Sequence, residues 1–177
     1  MASNKILLKD VQIAYPSLYR RSVFEGVTGK FQVVIVIKKN KTDHIKKIKS
    51  EIENILKENK VKVSAEKLCL RDGDLREGRP EFKDSWYFNA LTDKTPLIFD
   101  LSSTPITEEQ GLIVSGCRVN FLTSFWYSQK FKGISANYHG LQYIGEGHLD
   151  GIDSIASYFK NLDNDGDDSS DFDNFLD

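Results

Sequence analysis

The segment FQVVIVIKK, residues 31–39, constrains this fold more than any other stretch of the chain. In an extended strand, Phe31, Val33, Ile35 and Ile37 fall on one face. Val34 and Val36 make the opposite face apolar too, so the centre of this strand is expected to be covered on both sides. The pattern then changes period. Thr42 stands where an N-cap is wanted, and Asp43 complements a helix dipole. Ile45, Ile48, Ile52, Ile55 and Leu56 follow at helical spacing, which predicts one amphipathic helix over 43–59, packed on a sheet. Lys46, Lys47 and Lys49 are read as its solvated face.

The remaining strands are shorter or more mixed. Residues 5–15 predict a first strand with Leu8, Val11 and Ile13 in the core, and 16–29 a loop. Residues 71–84 read as a charged loop. WYFNAL from Trp86 and PLIFDL from Pro96 read as short strands, and 102–111 as a connector. CRVNFLTSFWY from Cys117 is a long strand, and GISANYHGLQYIG after it another. Ile152, Ile155, Ala156 and Phe159 suggest a short closing helix. Five to seven strands with turn signals between them favour a small barrel or sandwich, elaborated by one helix. No internal repeat is visible.

Charge divides the chain in two. Asn161 to Asp177 holds seven aspartates and no lysine or arginine. The other 19 acidic residues face 24 Lys and Arg, which leaves about +5 on residues 1–160. The tail's composition is too polar to bury a core, so it is expected to be disordered. A basic body suggests a polyanionic partner, and an acidic tail suggests a mimic of one.

Several functions are disfavoured. Cys69 and Cys117 make no disulfide framework and suit a reducing cytosol. Neither a signal peptide nor a membrane span is expected. His44, His139 and His148 are scattered, with no zinc-ligand spacing, phosphate loop or dinucleotide fingerprint. Asp163, Asp165 and Asp167 imitate the start of a calcium loop, but Asp168 stands where glycine belongs and Asn174 where glutamate belongs. Asp72 and Asp74 lack the third carboxylate of a metal-dependent nuclease and read as turn residues. Neither catalysis nor a cofactor is therefore expected.

Aromatics interleaved with cations point elsewhere. A protein that binds single strands without reading sequence combines flat aromatic faces with mobile cations in one groove. Arg71, Arg76, Arg79 and Lys83 precede Trp86, Tyr87 and Phe88. On the strand from Cys117, alternation places Cys117, Val119, Phe121 and Phe125 on a core face. Arg118, Asn120, Leu122, Ser124 and Trp126 fall on the other, and the turn beyond supplies Lys130, Phe131 and Lys132. Half or more of these aromatics are expected to be core, and Arg118 could equally pair with a carboxylate.

Six segments together resemble one family. They are AYPSLY (14–19), FQVVIVIKK (31–39), LRDGD (70–74), SWYFNA (85–90), PLIFD (96–100) and SGCRVNFLTSFWYSQKFKGISANYHGLQYIGEG (115–147). In order and spacing they are similar to the OB-fold single-stranded DNA-binding proteins of tailed bacteriophages, over most of residues 5–160. The resemblance implies a mainly β domain over 1–160: a five-stranded Greek-key barrel with added strands and one long helix. It also implies a basic aromatic cleft for single-stranded DNA. Residues 20–29, including Arg20, Arg21 and Phe24, match no assignable pattern.

The expected function is a phage replication and recombination protein, working in the cytoplasm of the infected bacterium. The tail, residues 161–177, would compete for the cleft. Asp171, Phe172, Asp173, Phe175 and Asp177 would then serve as contacts for a polymerase, a helicase or another replication protein. A homodimer is compatible with the sequence. Two rivals stay open: a protein-interaction module and an RNA-binding OB domain.

Overall fold

Alternating apolar residues account for five long strands. A computed structural model describes residues 4–151; the expected closing helix and the acidic tail lie outside the described residues. The strands are β1 (Ile6–Ser17), β2 (Val23–Phe24), β3 (Val27–Thr28), β4 (Phe31–Lys38), β5 (Arg71–Asp72), β6 (Ser85–Thr92), β7 (Ile98–Phe99), β8 (Arg118–Ser128) and β9 (Gly133–Gly145). Helix α1 spans Thr42–Glu58. The described residues thus hold nine strands rather than five to seven. The surplus is short: β2, β3, β5 and β7 have two residues each. PLIFDL contributes only Ile98–Phe99, and a small β2–β3 ribbon interrupts the predicted 16–29 loop.

The long strands close on themselves. Antiparallel pairs join β4 to β1, β1 to β8 and β8 to β9, while β6 pairs with β4. Parallel pairing of β6 with β9, through Ala90–Ala136 and Leu91–Asn137, completes the ring β1-β4-β6-β9-β8. This is the closed five-stranded order of an OB-fold. The expected fold class holds, with β5 and β7 as the added strands.

Strand β1 must bend to serve two neighbours. Its register shifts between Leu8 and Val11 against β8, and between Ala14 and Ser17 against β4. Asp10 (φ 54°) and Tyr15 (φ 50°) lie in those shifts with left-handed backbone, as at bulges that coil a barrel strand.

The interior is where the patterns place it. Leu8, Val11, Ile13, Val33, Ile35, Ile37, Val119, Phe121 and Phe125 are buried. Phe88 meets Phe125 edge-on at 5.4 Å, and Phe121 meets Tyr138 at 5.3 Å. Ile45, Ile48, Ile52 and Ile55 bury one face of α1, which packs against β8 and β1. One expectation fails. The cap position is Lys41, whose side chain makes no capping bond, and Thr42 is already helical. The turn after β4 closes one residue earlier than the cap preference suggests, through Lys41 N–H to Lys38 O.

A second apolar cluster covers part of the outer wall. Phe82 stacks on Tyr87 at 4.1 Å, with Ala14, Val36 and Leu149 around them. Gly73 allows this segment to seat, because a Cβ there would lie 1.9 Å from Phe82 O. Burial pushes the Cys69 thiol up to about 12 and Cys117 up to about 11, so both are poor nucleophiles.

Candidate nucleic-acid interface

Side chains that alternate away from the core build the candidate surface. On β4 and β6, paired residues share a face: Gln32 with Leu91, Val34 with Asn89, and Val36 with Tyr87. The Phe82 cluster covers the Val36–Tyr87 end. The rest stays open as a groove of about 230 Å³, floored by Val34, Asn89 and Leu91. Phe131 and Arg71 border it, with Ser135 and Ala136 from β9. Trp126 pairs with Ser135 across β8–β9, so its exposed indole flanks the same groove. Asn89 donates to Gln32 Oε1 at 3.0 Å, and its own Oδ1 is buried without a partner among the described residues.

The turn between β8 and β9 carries Lys130, Phe131 and Lys132 to the groove's end. Phe131 N–H donates to Ser128 Oγ, and Lys67 places its ammonium 4.8 Å from the exposed Phe131 ring. Gly133 is required there, because a Cβ would come within 2.3 Å of Lys67 O. On the β4 side, Arg21 lies 4.9 Å over the Phe31 ring. A shallow apolar floor, aromatic edges and surrounding cations are what stacked bases and a phosphate chain require.

Trp86 goes elsewhere. It pairs with Ile37 and Asp72 and faces a larger groove of about 670 Å³, between α1 and residues 65–76. Lys49 lies 4.2 Å over its ring and Lys39 5.7 Å. Lys49 is exposed, as expected from the sequence, and sets its ammonium over this aromatic face. Arg76 lines this groove, and Arg71 lines both. Lys39 binds Asp72 at 2.8 Å and Asp74 at 2.6 Å, and these bonds hold both carboxyls below their ordinary range. The two aspartates shape a turn: Asp72 accepts from Asp74 N–H, and Asp74 accepts from Asp84 N–H. The charge of Lys83 adds to the pull on Asp74. Among the described residues, no cluster of three or more His, Cys, Asp or Glu could hold a metal ion.

Two arginines pin the β1 bulges. Arg118 Nε donates to Asp10 Oδ1 at 2.7 Å, and this bond draws the Asp10 carboxyl down. Arg118 and Trp126 share a strand face but stand eight residues apart, or roughly 26 Å. Arg79 donates to Glu81 and to the Tyr15 hydroxyl, and Tyr15 donates to Glu81 at 2.5 Å. Burial raises the Glu81 carboxyl, but the bonds from Tyr15, its own backbone and Arg79 outweigh burial and leave it below 4.5. Ser124, expected on the open face, is buried: it meets His139 Nε2 at 2.6 Å and accepts from Asn137. Neighbouring β9 side chains cover that part of β8.

A family model described as the ssDNA-binding protein of Enterobacter phage Enc34 matches residues 4–172. The chain belongs to this family. Protein p50 of Acyrthosiphon pisum secondary endosymbiont phage 1 is 31% identical over 156 residues, covering 81% of this chain and 84% of its own. The Enc34 single-stranded DNA-binding protein, solved in complex with ssDNA, superposes with a TM-score of 0.73 at 25% identity, over 83% of this chain and 89% of that one. The same Enc34 protein in another structure gives 0.70 at 23% identity, over 87% and 89%. The resemblance read from the six segments is thereby confirmed, and the Enc34 family is one of binders rather than enzymes.

Within this member of the Enc34 family, sequence reasoning missed Val34, Asn89 and Leu91, which floor the groove. The signal was present as outward alternation along WYFNAL. It was hidden because Trp86, the most conspicuous aromatic there, alternates to the other side.

Proposed function

We propose that this chain coats single-stranded DNA during phage DNA replication, in the cytoplasm of the infected host. Bases lie along the outer wall of β4, β6 and β9, and the strand ends are gripped at the β8–β9 turn. One observation carries this reading: the open β4–β6–β9 wall of an OB barrel has Phe131 and Trp126 at its edge and Arg71 on its rim. The Enc34 relative bound to ssDNA supports it. Lys130, Lys132 and Arg71 contact phosphates. Arg76, Arg79, Lys83, Trp86 and Arg118 lie further out and add charge or hold the wall's shape. Recombination is a second setting for the same coating activity. In the absence of DNA, aspartates Asp163, Asp165, Asp167 and Asp168 of the acidic tail compete for the cleft's phosphate sites. Once displaced, the tail's Asp171–Asp177 end recruits a polymerase, a helicase or another replication protein.

The test is oligo-dT binding at several salt concentrations, for the wild type, Phe131→Ala and Trp126→Ala. Loss of one stacking ring costs about 1–3 kcal/mol, so a Kd raised roughly five-fold or more is expected for each. Full affinity in both variants would remove this wall as the site. No binding to any oligonucleotide would favour a protein-interaction module, and preference for RNA of equal sequence an RNA-binding domain.

A further inference from the structure

The groove on the wall proposed for DNA is smaller than the one beside α1, and that larger groove binds nothing in that reading. It runs beside α1, with Ile52, Leu56, Leu68 and Leu70 in its lining and Trp86 at one end. Leu75 stands at its rim, 83% exposed, which is a large apolar side chain left in water. Lys49, Arg71 and Arg76 also line it, and none of them has a carboxylate partner among the described residues. Of the lining carboxylates, Asp72 is held by Lys39, which leaves Glu53 and Glu66. An occupant should therefore be apolar at its centre and acidic at its edges.

We infer that this groove docks the chain's own C-terminal segment, Asp171–Asp177. DFDNFLD combines Phe172, Phe175 and Leu176 with three aspartates and the terminal carboxylate. The rings enter beside Leu56, Leu68 and Trp86, and the carboxylates meet Lys49 and Arg76. Chain length permits it. The described residues end at Gly151, where a Cβ would lie 2.6 Å from Pro80 Cγ, and Pro80 is four residues from Arg76. Four residues span at most about 14 Å. The twenty residues from Gly151 to Asp171 span roughly 22–27 Å even as a coil. Arg71 borders both grooves, so a docked tail draws one DNA-wall cation toward itself. That regulatory consequence rests on the DNA-binding reading; the docking does not.

The test uses the full chain with Phe175 replaced by the photo-crosslinker p-benzoyl-phenylalanine. Illumination without DNA should give crosslinks within one chain, mapping to 49–56 or 65–76. Leu75→Asp, an exposed change that leaves the core intact, should lower the yield about ten-fold, the loss of one buried leucine contact. Crosslinks to Val34, Asn89 or Phe131, crosslinks only between chains, or none at all would overturn the docking. Oligo-dT binding by the same samples separates the two readings. Groove crosslinks without DNA binding would sink the proposed function and leave the docking intact. DNA binding with crosslinks elsewhere does the reverse.

Discussion

Phe125 and Glu81 show two ways in which single residues hold this barrel. Phe125 is fully buried against Phe88, so Phe125→Ala should cost about 3–5 kcal/mol, measured by urea denaturation. Glu81 is a buried carboxylate kept ionised by Tyr15 and Arg79. Its folded-state pKa lies below the ordinary 4.5, so its contribution to stability is complete above that value and is lost as pH falls through the folded value. Asp10, Asp72 and Asp74 are lowered in the same direction. Thermal melts should therefore show stability falling as the medium is acidified below about 4.5. In Glu81→Gln the melting temperature should be lower at neutral pH and should fall less steeply on acidification. The core position of Phe125 was legible because alternation along CRVNFLTSFWY names it directly. The partnership of Glu81 was not, because Tyr15 is 66 residues away and meets it only through the bulge in β1.

Among elements, β8 joins the proposed binding edge to a contact that holds the barrel's shape. Its Trp126 end adjoins the open groove, and its Arg118 end is tied to Asp10 at a bulge. Trp126→Ala should weaken oligo-dT binding with little change in melting temperature. Arg118→Ala should lower the melting temperature more than it alters affinity, with calorimetry and anisotropy read on the same samples. Equal loss of affinity in both would assign the whole strand face to DNA. Helix α1 was predicted to within one residue at each end, because four isoleucines at helical spacing leave little choice. Its cap was not, since the β4–α1 turn is closed by backbone bonding at Lys41 rather than by the Thr42 hydroxyl.

At the scale of the whole molecule, the proposed function sets the DNA contacts of a basic body against competition from an acidic tail. Phosphate contacts release counterions, so log Kd should rise linearly with log salt, by about 0.7 for each phosphate neutralised on a single strand. Lys132→Ala should reduce that slope by about this amount. Removal of residues 161–177 should strengthen oligo-dT binding at low salt, and the gain should shrink as salt rises, because the competing charges are screened. Unchanged low-salt affinity in the shortened chain would end the competition model.

The sequence alone determined the barrel's long strands, its helix, the charge division and the family. Each of these is written in local periodicity, composition or ordered segments. Which aromatics flank the wall proposed for DNA was left to the tertiary structure. Trp86 and Trp126 are equally conspicuous beside equally basic neighbours, and only closure of β6 onto β9 turns one toward α1 and the other toward the open wall. Pairing of β1 with β8 set Arg118 against Asp10, 108 residues away, and the second β1 bulge brought the Tyr15 hydroxyl to Arg79, 64 residues away. Periodicity fixes the face of a strand on which a residue lies, but what covers that face depends on contacts between segments far apart in the chain.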